Sequence, residues 1–157
     1  MILINKAITG KETATGIASP FQALLNFYSA FNNQNLESME RNWLQTDDAS
    51  MSNPLGGIKR GWDEIREVYK KIFNGEARVY VEFYDYSIHP TKDMFIAVGH
   101  ERGLLEINNQ QIELAIRTSR IYQLHDRQWK QIHHHGSMDN PGLLKTYQAT
   151  LLNNHQE

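Results

Sequence analysis

Cysteine is absent from the 157 residues, so neither a disulfide scaffold nor thiolate chemistry is available, and any metal would need histidines and carboxylates as ligands. An excess of one charge is missing too: 16 lysines and arginines stand against 18 aspartates and glutamates, a formal net charge of −2. No basic stripe able to neutralise many phosphates results, which argues against nucleic acid as a partner. Nowhere do about 18 apolar residues follow one another, as a membrane-spanning helix requires. The run Met1-Ile2-Leu3-Ile4 is too short for the core of a signal peptide. A soluble, cytoplasmic protein with no membrane partner is expected. Long proline, serine or charge runs and internal repeats are also lacking, so nothing marks a linker or a repeat array.

What is present suffices for one core. With 40% hydrophobic and 10% aromatic residues, a chain of this length can bury enough apolar surface to offset its ordering entropy as a single domain. Residues 1–18 read as a loosely attached leader, 19–137 as the pocket domain, and 138–157 as a C-terminal helix and tail.

Ser19-Pro20, with Phe21, Leu24, Leu25, Tyr28 and Phe31 at helical spacing and Gln22 completing a capping box, predicts a first helix. Leu36, Met39 and Trp43 mark a short second one. Trp62, Ile65, Tyr69, Ile72 and Phe73 mark a third, stopped at Asn74-Gly75. From Arg78 the texture turns to β, with runs Val79–Ile88, Met94–Ile107, Gln111–Leu124 and Trp129–His135 separated by short polar turns that imply antiparallel neighbours. Asn140-Pro141 then opens a C-terminal helix with Leu143, Leu144, Tyr147 and Leu151 on one side. Helices followed by a meander of long strands predict an α+β fold: a cone-shaped, strongly curved antiparallel sheet covered on one face by three N-terminal helices.

Period-two alternation assigns the faces. Met94, Ile96 and Val98 share one with His100 and Arg102, while Ile112, Leu114 and Ile116 share one with Thr118, Arg120 and Tyr122. Both sets are expected to line the cone, each turning polar toward one end, with Arg102 and Arg120 as cations at its mouth. Phe95, Ala97 and Gly99 then fall on the outer face, whose shortage of charge predicts a homodimer formed through it. The loop Asn53-Pro54-Leu55-Gly56-Gly57, leading to Gly61-Trp62, should bring polar groups to the pocket, with Trp62 at its rim. Three adjacent histidines, His133 to His135, cannot chelate one ion from a strand whose side chains alternate, so no metal and no other cofactor is expected. The spacing from Ile132 turns His134 toward the helices and the pocket. Glu82 is expected to look outward.

With those residues in view, the chain resembles the nuclear-transport-factor-2-like (NTF2-like) superfamily, which includes ketosteroid isomerase, SnoaL-like proteins and the association domain of calcium/calmodulin-dependent kinase II. Thr46–Gly56, Gly61 and Ile65–Tyr69 are similar to the loop-to-helix passage of ketosteroid isomerase; Arg120–Tyr122 and Asp126–Ser137 are similar to the closing hairpin of kinase association domains. The resemblance implies the cystatin-like cone and a dimer or larger ring. In ketosteroid isomerase a carboxylate abstracts a proton while a tyrosine and a protonated acid hold the enolate. Tyr28 matches that tyrosine with a one-residue shift. The base position, immediately before Pro-x-Gly, carries Asn53, and an amide is no base near neutral pH. The second acid falls near Thr118–Arg120, where no carboxylic acid stands. The implied function is therefore binding of a small polar or acidic organic molecule by Tyr28, Asn53, Trp62, His100, Arg102, Arg120, Tyr122 and His134. Isomerase, dehydratase or hydrolase chemistry could act on it, and the alternative is a non-enzymatic assembly or sensing module.

Overall fold

A computed structural model describes residues 1–13 and 18–152. Its elements run β1 (Ile2–Ile4), α1 (Pro20–Asn32), α2 (Leu36–Asn42), β2 (Ser50–Ser52), β3 (Lys59–Arg60), α3 (Gly61–Asn74), β4 (Arg78–Pro90), β5 (Met94–Ile107), β6 (Gln110–His125), β7 (Gln128–Ser137) and α4 (Pro141–Leu152). The strands form one seven-stranded sheet in the order β1-β4-β5-β6-β7-β2-β3. Helices α1 to α3 cover its concave face, giving the expected α+β cone.

Local chemistry explains the boundaries. Ser19 caps α1 by accepting the Gln22 N–H at 3.2 Å, and Asn35 caps α2 by accepting that of Ser38 at 2.9 Å. Asn140 does the same for α4 through Leu143. The turns Asn108-Asn109 and Asp126-Arg127 place both residues at positive φ, the two-residue geometry whose twist matches antiparallel strands. These turns fix β5, β6 and β7 as consecutive antiparallel neighbours. No helix among the described residues is long and apolar enough to cross a membrane.

Within the stretch read as a leader, Ile2–Ile4 pair with β4 and Ile8 is fully buried, bridged to Phe83. Residues 14–17 of that stretch, and 153–157 of the C-terminal tail, lie outside the described residues.

The faces differ from expectation on β5. Phe95, Ala97 and Gly99 point into the cone, and Ile96, Val98, His100 and Arg102 lie on the convex face. Both alternations are apolar in this half of the strand, so periodicity could not choose between them. Packing does: an added Cβ at Gly99 would stand 2.5 Å from Cβ of Tyr86 and 3.0 Å from the ring of Phe83, so only the smaller side chains fit beneath the rings of β4. A bulge in β4 between Tyr84 and Ser87, with Asp85 at φ 45°, turns Tyr86 inward beside Phe83, although strict alternation groups Tyr86 with Glu82 and Tyr84. Glu82 faces outward, as expected, and pairs with Arg102.

Candidate functional site

A buried polar cluster sits where α1 crosses β5, β6 and β7. Arg120 reaches from β6 into the cone and is 2% exposed. Its Nη2 donates to Oε1 of Glu101 at 2.8 Å, its Nη1 to Oε1 of Gln131 at 3.0 Å, and its Nε to the Tyr28 hydroxyl at 3.3 Å. The Tyr28 hydroxyl in turn donates to the same oxygen of Glu101 at 2.6 Å. The guanidinium also lies 3.5 Å from the centroid of the Phe27 ring, a cation–π contact made strong by the exclusion of water. Burial opposes the charge of Arg120, but its partners Tyr28 and Glu101 more than offset that, so the guanidinium stays charged beyond the ordinary arginine range. Burial raises the Tyr28 phenol well above its usual value despite the pull of Arg120, so it remains a neutral donor.

His134 lies on the same inner face, opposite Arg120 in the β6–β7 register. Burial first, and the charge of Arg120 second, hold its pKa well below the ordinary histidine value, so the ring is neutral. Among the described residues its Nδ1 is buried without a partner, as is Nε2 of Gln131. Gln131 and His134 both face inward because a bulge between them shifts the register, Tyr122 pairing with Gln131 and Ile121 with His133.

Of these groups Glu101, Arg120 and His134 border a cavity of about 50 Å³, which Asn53, Tyr69 and Tyr147 also line. That volume holds a few waters at roughly 10–15 Å³ each, and is far below the roughly 300–1,000 Å³ typical of ligand pockets. A larger open groove of about 630 Å³ runs between α1, α2 and the β6–β7 turn. Its cations are already engaged, Arg41 with Glu37 and Lys130 with the Arg41 carbonyl, and it gathers no buried titratable cluster.

Of the residues singled out from sequence, the fold brings Tyr28, Asn53, Arg120 and His134 to this cluster. Asn53 is also a turn residue, its Oδ1 accepting the Leu55 N–H at 3.1 Å. Trp62 does not rim the mouth; it packs in the core against Trp43. Tyr122 is buried away from the cavity, stacked on Phe95 and donating to Oδ1 of Asn42 at 3.1 Å. His100 and Arg102 are outside the cone altogether, where His100 stands 3.4 Å from Asp85 and the Arg102 guanidinium covers the Tyr84 ring. The expected pair of cations at the mouth is therefore one buried, neutralised arginine. Glu101 was the residue missed. Its signal is that it is the acid continuing the alternation Phe95, Ala97, Gly99, whose side of the sheet is settled only when β4 is placed against it. Among the described residues no cluster of three or more histidines and acids could hold a metal ion.

Residues 21–141 match the SnoaL-like domain family over more than half the chain. The chain belongs to the SnoaL-like family. It shares its fold with NTF2-like proteins of known structure. A candidate calcium/calmodulin-dependent protein kinase type II association domain from Thiobacillus denitrificans is 22% identical, over 79% of this chain and 98% of that one, with a TM-score of 0.64. A candidate dehydratase of the NTF2-like family from Streptomyces avermitilis is 20% identical, over 74% and 91%, with a TM-score of 0.66. A protein with a cystatin-like fold from Caulobacter vibrioides is 18% identical, over 84% and 94%, with a TM-score of 0.62. No curated protein matches the chain. At these identities the likeness establishes the SnoaL-like cone and leaves its chemistry to the residues inside it.

Proposed function

We propose that this SnoaL-like domain binds a small, uncharged polar organic molecule in the cone and transfers a proton on it, as an isomerase or dehydratase does. The observation that carries this reading is the convergence of Glu101, Arg120 and a neutral His134 on one small cavity, with the Tyr28 hydroxyl donating to Glu101. Arg120 and Tyr28 hold Oε1 of Glu101, and among the described residues no donor reaches Oε2, which is available to accept from a ligand. His134 Nδ1 is a second unfilled position, suited to polarising a hydroxyl or carbonyl without carrying charge. Because Arg120 is already neutralised by Glu101, an acidic ligand would have to break a buried ion pair; an uncharged hydroxyl or carbonyl compound would not.

A library of uncharged hydroxy and carbonyl compounds, screened by thermal shift on wild type and Glu101→Gln, tests this. Compounds that stabilise wild type and lose their effect in the variant support it; equal shifts in both proteins would remove Glu101 from the site.

The small cavity favours a second reading, in which the domain is an assembly module and the polar cluster serves stability alone. Both readings include a homodimer through the convex face. The patch that supports it is Ile96 and Val98, 39% and 45% exposed, with Ile121 opposite Ile96 on β6. It replaces the Phe95, Ala97 and Gly99 patch expected from alternation.

A further inference from the structure

We propose that α4 is a lid whose Tyr147 ring occupies the place of a ligand's ring, so that the interior site takes a hydroxylated aromatic molecule admitted when α4 lifts. This rests on the reading of the cone as a binding site and goes further in naming the ligand class and its route in.

Tyr147 is the one buried residue of α4, and it lines the cavity together with Glu101, Phe31, Met51, Pro54 and Ile72. The rest of the helix is lightly held. Leu143, Leu144 and Leu151 are half-buried, and among the described residues one side-chain bond ties the helix to the loop before α3: Gln148 Nε2 donates to the Pro54 carbonyl at 2.9 Å. A short connection, Met138–Asn140, joins the helix to β7. An element with few buried contacts and a single polar tether sits at the low end of local stability, the property a moving cover needs.

The space beneath suits a ring bearing a hydroxyl. Its walls include Phe27, Phe31 and Tyr69, and its lining also holds Oε2 of Glu101, a free acceptor, and Nδ1 of His134, a neutral ring nitrogen that accepts or donates according to its tautomer. A phenol is a flat apolar body with one donor, which complements that arrangement. Tyr147 itself brings a phenol to that lining; burial and the Glu101 charge both raise it above its ordinary value, so the hydroxyl stays protonated and able to donate.

The test is thermal unfolding of full-length wild type, Tyr147→Ala, Gln148→Ala and Tyr147→Ala/Glu101→Gln, with p-cresol or toluene as probe. Tyr147→Ala should melt lower than wild type by on the order of 5 °C. Saturating p-cresol should restore most of that loss and toluene less than half, and the Glu101→Gln change should erase the difference between probes. Gln148→Ala, which keeps every buried ring, should respond to p-cresol more than wild type does, so the lid is testable even where the cavity variant fails to fold. Equal rescue by toluene and p-cresol would overturn the hydroxylated ligand class. No response from folded Tyr147→Ala or from Gln148→Ala would overturn the lid. Uncharged polar compounds that shift wild type and both lid variants alike would overturn the lid while sparing the interior site; a cone unmoved by any compound in every variant would lose both.

Discussion

Arg120 pairs with Glu101 along the sheet rather than across it. In register Arg120 stands opposite Ala97, and Glu101 lies four residues further along β5, roughly 13 Å away at strand spacing. The inward positions between them are Ala97 and Gly99, small enough for the guanidinium to extend over them to the carboxylate. The two alternations of β5 thus divide the work, the small one making room for an internal ion pair and the branched one leaving an apolar outer face.

That pairing sets the cost of breaking it. Glu101→Gln or Arg120→Met alone should destabilise by about 3–5 kcal/mol, because each leaves a buried charge without its counterion. The double variant Glu101→Leu/Arg120→Met should lose clearly less than the sum. Urea unfolding of the four proteins measures the coupling; additive losses would mean that the pair is energetically independent despite its geometry.

Stability should fall in mildly acidic solution through His134. The folded protein holds this ring neutral far below the pH at which the unfolded chain protonates it, near 6.5. Below about pH 6.5 the unfolded state therefore binds a proton that the folded state refuses, and stability declines with a limiting slope of about 1.4 kcal/mol per pH unit. His133, also depressed by burial, adds in the same direction. The effect is absent above that window. Denaturation midpoints of wild type and His134→Gln between pH 7.5 and 5 should diverge at neutral pH and converge in acid; parallel curves would rule out His134 as the source.

Gly99→Ala should destabilise by about 1–3 kcal/mol through overpacking, since its methyl would stand 2.5 Å from Cβ of Tyr86. Adding Tyr86→Gly, which removes that Cβ, should recover part of the loss in a double-mutant cycle read by thermal unfolding. Recovery would locate the strain at this contact.

Ile96→Asp or Val98→Asp should leave the fold intact by circular dichroism, since both side chains already meet water on the isolated chain. Either should halve the particle mass in light scattering if the convex face is the dimer interface. An unchanged dimer mass would place the contact elsewhere.

The sequence by itself determined what depends on neighbours in the chain. Ser19, Asn35 and Asn140 cap their helices because each oxygen bonds an N–H three residues on. The two-residue turns at Asn108-Asn109 and Asp126-Arg127 fix the hairpins, and the aliphatic alternation of Ile112, Leu114 and Ile116 carried Arg120 correctly to the inside. The tertiary structure decided what depends on two strands meeting. Only the rings of Phe83 and Tyr86, brought over Gly99 by the bulge at Asp85, choose the inner face of β5. That choice sends Glu101 in toward Arg120 and Tyr28 and turns His100 and Arg102 out. The physical reason is that alternation states which side chains share a face, while the space left by the opposing element settles which face is buried.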